Sequence, residues 1–517
     1  MSKIDEYVKI VPSKRQYELQ KMGFYAFLHF GINTFANKEW SDGTESPAIF
    51  NPTSLDTDQW CAAVKSAGMK AVILTAKHHD GFCLWQTDIT EYSIKNSPYK
   101  DGKGDIVREL KESCDKYGLK MGVYLSPWDR NAECYGTDAY NDYYIAQLTE
   151  LLTRYGDIFE LWLDGACGSH LDGKPMQVYD FPRIYAKVRE LQPGCIIANC
   201  GPDCRWIGNE GGLTRDSEWN VVPKVQADVD KIMDASQSDE NIVPDIDCIS
   251  EDLGSRAVLE QYNDYMWYPA EVDVSIRPGW FYHASEDTKV RSVDNLLNIY
   301  YSSVGGNAML LLNIPPDTRG LIHEKDVAVL AELGERIRSG LATKIAMRGV
   351  RGSQEKRDYP ISNILKGGVY SPELSDKYVM EFTFKEVSKI DKVVIREDVT
   401  HSQRIEEFAI YIQYRGRMKR VYKGTTVGMC KVALFKKWTY ADGMILMINE
   451  CRNEPFIEEV SVYEADGKLP PQHPVIRRIK KKVSEYKNKQ YAKYVARVNA
   501  KTAKKTAKAE ASNKADK

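Results

Sequence analysis

Two histidines and an aspartate stand together in "AKHHDGF", residues 76 to 82, just past the apolar run "AVIL". Similar polar groups end other apolar runs: His29 lies in "FYAFLHF", Trp128 and Asp129 follow "KMGVYL", and Asp164 directly follows "IFELWL". Metal binding would need three or four ligands at workable spacing, and adjacent histidines on an extended strand point to opposite faces. The chain has no HExxH helix and no paired CxxC, and Cys200 and Cys204 stand apart from other ligands. No metal site and no cofactor are therefore expected. A clamp for a hydroxyl-rich ligand fits better, because Trp40, Trp85, Trp128, Trp162, Trp206 and Trp280 fall near the same strand ends. Aromatic faces receive the C–H faces of sugars, while His, Asp, Glu and Arg meet their hydroxyls.

Breaking a glycosidic bond makes a sharper demand: two carboxyl groups, one ionised and one able to donate a proton. Asp164 is the first candidate. It could instead cap the next helix, but Gly165 and the long loop before "FPRIYAKV" weigh against that. Glu210 in "RWIGNEGG", Glu218 in "RDSEW" and Glu271 in "WYPAEVDVSIRPGW" compete for the second place, and residue type does not separate them.

The elements that must position these groups alternate along the chain. Short apolar runs at 24–30, 71–76, 120–125, 158–163 and 195–200 are each too short for a helix. Between them lie segments with apolar residues three and four apart and an Asp or Asn near their start. This is a repeated βα unit, less regular after residue 200, where "EVDVSI" and "AMLLLN" supply later strands. A doubly wound sheet and a (β/α)8 barrel both fit the pattern. The barrel is favoured because it brings the polar strand ends to one mouth. Beyond residue 345, alternating strands at 378–384, 389–398, 407–414, 443–450 and 457–465 predict an all-β antiparallel sandwich. The expected fold is thus a (β/α)8-type barrel, somewhat irregular in its second half, over 1–345, a β-sandwich over 346–468, and a tail over 469–517.

Composition bounds the rest. With 43% hydrophobic and 28% charged residues the chain has ample material for a core. Eleven scattered cysteines do not form an even disulfide framework and favour free thiols in a reducing compartment. No apolar run is long enough for a membrane span, and "MSKIDEYVKIVPSKRQ" does not resemble a signal peptide, so a cytoplasmic location is expected. From Pro471 onward fifteen Lys or Arg stand against three acids, leaving the preceding residues near −14 within a chain of net −2. This Lys/Ala-rich tail reads as a solvated segment, and no nucleic-acid partner is expected.

Taken together, "FYAFLHFGINTF", "KEWSDGTESP", "AKHHDGFCLW", "GVYLSPWD", "FELWLDGA", "GPDCRWIGNEGG" and "SIRPGWFYH" resemble the α-L-fucosidases of glycoside hydrolase family 29. "SPWDRN" and "RWIGNE" resemble the subgroup acting on α-1,3- or α-1,4-linked fucose in branched, Lewis-type glycans, and "KVVIREDVTHSQRIEEFAIYIQY" resembles the family's C-terminal sandwich. The resemblance implies a fucosylated oligosaccharide substrate and a retaining, metal-free double displacement. Asp164 would be the nucleophile and Glu210 the acid/base. His29, His78, His79, Glu39, Trp40, Tyr124, Trp162 and Arg277 would bind the sugar, Trp280 would wall its methyl group, and Glu45 and Trp128 would shape the mouth or the leaving-group side. The alternatives are a broad-specificity fucosidase with a different acid/base and a catalytically weak fucose-binding protein. "DGACGSH" where relatives often carry "DGANG", together with Cys204, departs from the family pattern without removing a carboxylate.

Overall fold

The computed structural model describes residues 3–166, 176–229, 250–352 and 355–465. The tail at 469–517 lies outside the described residues, as do Cys167 and the residues that follow it in "DGACGSH".

Eight parallel strands form a nearly closed barrel: β1 Phe24–Leu28, β2 Ala71–Lys77, β3 Lys120–Leu125, β4 Glu160–Leu163, β5 Ile196–Asn199, β6 Arg205–Trp206, β9 Ala270–Ser275 and β10 Met309–Asn313. Their order is β5-β4-β3-β2-β1-β10-β9-β6, and a single parallel bridge between Ala198 and Cys204 brings β5 to β6. The second half is irregular, as expected. β6 has two residues, and a small antiparallel pair, β7 Val221–Pro223 and β8 Tyr265–Trp267, is inserted before β9.

Strand alternation divides the side chains between two cores. Tyr25, Phe27, Ile73, Tyr124, Trp162, Ala198 and Leu311 pack inside the barrel. Ala26, Leu28, Val72, Leu74, Val123, Leu161, Leu310 and Leu312 pack outward against the helices. The two-residue period that sends Tyr25 and Phe27 inward sends His29 inward next, and Trp162 is likewise followed by Asp164.

The helices start where short polar side chains satisfy their first amides. Asp56 accepts from Gln59 N at 3.1 Å ahead of Thr57–Ser66, Asp105 from Arg108 N at 2.9 Å ahead of Ile106–Tyr117, and Asp180 from Arg183 N at 3.1 Å ahead of Phe181–Leu191. Each cap contributes about 1 kcal/mol. Ile106–Tyr117 ends on Gly118 at φ +66°, a left-handed conformation that glycine adopts without a Cβ penalty.

The C-terminal part is an antiparallel sheet of β11 Met347–Gly352, β12 Tyr378–Glu397, β13 Ile405–Tyr414, β14 Arg417–Gly424, β15 Lys431–Cys451 and β16 Ile457–Glu464. The two strands expected at 378–384 and 389–398 are one long strand. Register shifts between Thr383 and Ser388 and between Ile390 and Lys392 let it bend without ending. Met380 and Phe382 before the shifts, and Val393 and Ile395 after them, reach the same core. β14, "RMKRVYKG", lacks the apolar alternation that reveals a strand because it is a charged, exposed sheet edge. The sheet joins the barrel through Val394, Cys430, Val432 and Tyr463, which enter the barrel's outer core.

Candidate active site

Asp164 stands one residue beyond β4. Its Oδ1 accepts from Ala166 N at 3.0 Å and its Oδ2 from the Tyr124 hydroxyl at 2.9 Å, with His79 Nε2 3.7 Å from Oδ2. Burial and the Asp164 charge push the Tyr124 phenol well above its usual pKa, so it stays a donor. The acid is thus fixed at two points. It caps no helix.

Three histidines close the space beside it. His78 lies 4.1 Å from His79 and 5.7 Å from His29, ring centre to ring centre. The hydrogen-bond network assigns each tautomer. Asn313 donates through Nδ2 to Ser275 Oγ and the Trp280 carbonyl, so its Oδ1 accepts from His29 Nδ1 at 2.8 Å. The other nitrogen of His29, Nε2, is therefore an acceptor. Asn33 accepts from Ser41 N and donates through Nδ2 to the Glu39 carbonyl, which leaves His78 Nδ1 accepting at 3.2 Å and His78 Nε2 carrying the proton. Ser126 donates to the Trp128 carbonyl and accepts from His79 Nδ1–H at 2.7 Å, so His79 Nε2 is again an acceptor. A hydroxyl both donates and accepts, and this mixed set can satisfy several of them.

Burial lowers all three pKa values: His29 to about 3, His79 to about 4 despite the nearby Asp164 charge, and His78 well below its usual range. The clamp is uncharged at neutral pH. Its effect on stability has a definite sign. Between pH 6.5 and about 4 the unfolded chain binds a proton at residue 79 that the folded chain refuses, so stability falls as pH falls through this window. The contribution reaches about 3 kcal/mol at the acid end. Asp80, buried and raised to about 7, acts in the opposite sense, so the comparison must be differential. His79→Gln is expected to lose less stability than the wild type between pH 7 and 4. Urea midpoints across that range check it.

Among the three glutamates left open by the sequence, the structure separates the environments. Glu218 is buried against Arg205 and Arg215, which hold its pKa below the usual carboxylate range. Glu271 is buried inside the barrel, where it accepts from Tyr25 and Trp162. Glu210 is exposed at the mouth, where Trp280 Nε1 donates to its Oε2 at 3.2 Å. Its pKa is raised by partial desolvation first, then by the charges of Asp164 and Glu39, against the Trp280 hydrogen bond.

The other expected residues divide. Trp280 lies 5.1 Å from His29, Trp128 packs 4.8 Å from His79, and the half-exposed Trp40 meets both His79 and Trp128 edge-on at 6.0 Å. Trp162 stacks on Tyr124 at 5.6 Å while its N–H points to Glu271 at 2.7 Å. Glu39 spends its carboxylate on the loop after β9: Oε2 accepts from Trp280 N at 2.8 Å, and Oε1 accepts from Phe281 N at 3.2 Å and meets His283 Nε2 at 2.7 Å. Gly279 permits that approach, since a Cβ there would lie 2.5 Å from Glu39 Oε1. Arg277 is fully buried against Asp326 and Asp287 at 2.8 and 2.9 Å, and Glu45 pairs with Lys38 at 2.8 Å. Asp129 is not at the mouth but buried with Lys77 at 2.9 Å.

Sequence reasoning missed Asn313, Asn33, Ser126 and Phe281. Asn313 left a signal, a polar residue closing the apolar run "AMLLLN". Asn33 left none, because its role comes from the loop that folds Ser41 back onto it.

The mouth thus sets neutral donors and acceptors and aromatic faces, suited to a hydroxyl-bearing ring, beside a carboxylate fixed at two points and a second carboxyl of raised pKa. Those are the requirements of glycosidic-bond cleavage, and they place the chain among the glycoside hydrolases.

The family model for α-L-fucosidase matches residues 13–339. Alpha-L-fucosidase 1 of Arabidopsis thaliana is 39% identical over 467 residues, covering 88% of this chain and 87% of that protein. A glycoside hydrolase family 29 member from a rumen bacterium is similar in structure, with TM-score 0.75, 34% identity, and 90% of this chain and 79% of that one covered. A Ruminococcus gnavus family 29 fucosidase, solved in complex with fucose, has TM-score 0.76 and 29% identity, covering 88% of this chain and 95% of that one. The chain belongs to the α-L-fucosidase family and is an α-L-fucosidase.

Proposed function

We propose that the enzyme is a retaining exo-α-L-fucosidase that removes α-1,3- or α-1,4-linked terminal fucose from branched glycans. One observation carries the assignment of roles. Glu210 alone of the three candidate glutamates lies at the mouth with a raised pKa and within the field of Asp164. In the first step an Asp164 oxygen bonds to the anomeric carbon as the glycosidic C–O bond breaks, and the Glu210 proton passes to the departing oxygen. In the second step Glu210 takes a proton from water, whose oxygen displaces Asp164 and releases fucose with its anomeric configuration retained. The glycone is supported by the fucose complex of the Ruminococcus gnavus relative. The mixed donors and acceptors of His29, His78 and His79 meet its hydroxyls, and Trp280 faces its methyl group.

The linkage preference rests on the resemblance of "SPWDRN" and "RWIGNE" to the subgroup acting on α-1,3- or α-1,4-linked fucose. Release of free fucose from a Lewis-type trisaccharide, from 2'-fucosyllactose and from an aryl fucoside tests it. The branched trisaccharide is expected to give the highest kcat/KM. Dominance of the α-1,2-linked or aryl substrate would overturn the linkage reading, and binding of all three without turnover would favour a fucose-binding protein.

A further inference from the structure

Beneath the mouth the barrel holds two acids that glycosidic chemistry does not use. Glu160 on β4 and Glu271 on β9 both face inward, and both are buried. Glu271 accepts from the Tyr25 hydroxyl through Oε2 and from Trp162 Nε1 through Oε1 at 2.7 Å. Glu160 has no donor for either of its oxygens among the described residues. A buried carboxylate in that position would be costly, whereas a carboxylic acid can donate to Glu271. Burial and the Glu271 charge both drive Glu160 towards the protonated form. Burial raises the pKa of Glu271 as well, but hydrogen bonds from Tyr25, Trp162 and Glu160 oppose that rise, so Glu271 is the acceptor of the pair.

From Glu271 a short physical chain leads upward. Trp162 stacks on Tyr124 at 5.6 Å with 24° between the rings, and Tyr124 donates to Asp164 Oδ2 at 2.9 Å. Trp162 also precedes Asp164 by two residues at the end of the same strand. We propose that Glu271 is a positioning residue for the fucosidase reaction, its carboxylate fixing the Trp162 indole, which in turn fixes Tyr124 against the nucleophile. The inference rests on the reading of Asp164 as nucleophile.

The two acids should respond differently to substitution. Glu160→Gln keeps a donor towards Glu271 and is expected to stay within about twofold of wild-type kcat. Glu271→Met removes the acceptor, strands the indole N–H, and is expected to lower kcat about tenfold or more with a smaller change in KM. Glu271→Gln, whose amide oxygen can still accept from the indole N–H, is expected to recover most of that kcat. A fold defect would lower the amount of active enzyme but leave kcat per active site unchanged.

The decisive experiment is a double-mutant cycle of Glu271→Met with Trp162→Phe, reading kcat per active site and KM, with Asp164→Ala as a control. Expected is that Glu271→Met adds little in the Trp162→Phe background, because both remove the same bond. Trp162→Phe, which keeps the stacked ring, should lower kcat per active site by itself with a smaller change in KM, so the test survives if Glu271→Met does not fold. Independent losses, or an unchanged kcat per active site in Trp162→Phe, would overturn the proposal. An active Asp164→Ala enzyme would overturn the nucleophile instead.

Discussion

Asp164→Ala is expected to lose at least about 10⁴-fold in kcat on every fucoside while unfolding at nearly the wild-type temperature. The magnitude follows from the role: without the carboxylate there is no partner for the anomeric carbon, and positive charge developing there goes unopposed. The fold tolerates the change because, among the described residues, the side chain caps no helix. Its removal frees one Tyr124 hydroxyl and one backbone N–H at a mouth that water can reach. Stereochemistry supplies a second reading. Added azide can take the nucleophile's place, attacking the α-fucoside from the opposite face to give β-fucosyl azide. Wild-type activity in Asp164→Ala, or azide products of the α configuration, would remove Asp164 from the nucleophile's role.

Much of this site was legible because a barrel turns a two-residue period into a location. An apolar strand that ends in a polar residue of inward parity must place it at the mouth, and this rule located His29 and Asp164 with no further information. The same rule would have found Asn313. It failed wherever a side chain's partner came from a distant element. Glu218 and Glu210 lie eight residues apart in one irregular stretch, and only the fold shows that Arg205 and Arg215 neutralise the former while the latter is left at the mouth. Arg277 reads as a natural ligand for hydroxyls, yet Asp326, 49 residues on, holds its guanidinium. The sheet domain shows the same limit. Its buried strands announce themselves by alternation, but β14, a charged edge, and the bend that makes β12 continuous are visible only in the pairing.

Glu210→Ala is expected to divide substrates by their leaving groups. A sugar hydroxyl departs poorly as an alkoxide, so natural glycans should lose about 10³-fold or more in kcat/KM. An activated aryl fucoside needs no proton to leave and should lose far less in kcat/KM, with the fucosyl-enzyme accumulating because no base activates water. Azide, which needs no base, should restore turnover and give α-fucosyl azide, the opposite anomer to that from Asp164→Ala. The pH profile carries the same assignment. The first step needs Glu210 protonated, so kcat/KM on natural glycans falls as pH rises through its raised pKa. This alkaline limb should be absent for Glu210→Ala on the aryl substrate. Because the Asp164 charge is one cause of that raised value, Asp164→Asn should lower the Glu210 pKa, a shift that carbon NMR of labelled glutamate can follow without turnover. If the Glu210 pKa is unchanged in Asp164→Asn, the two carboxyls do not interact, and the acid must be sought elsewhere at the mouth.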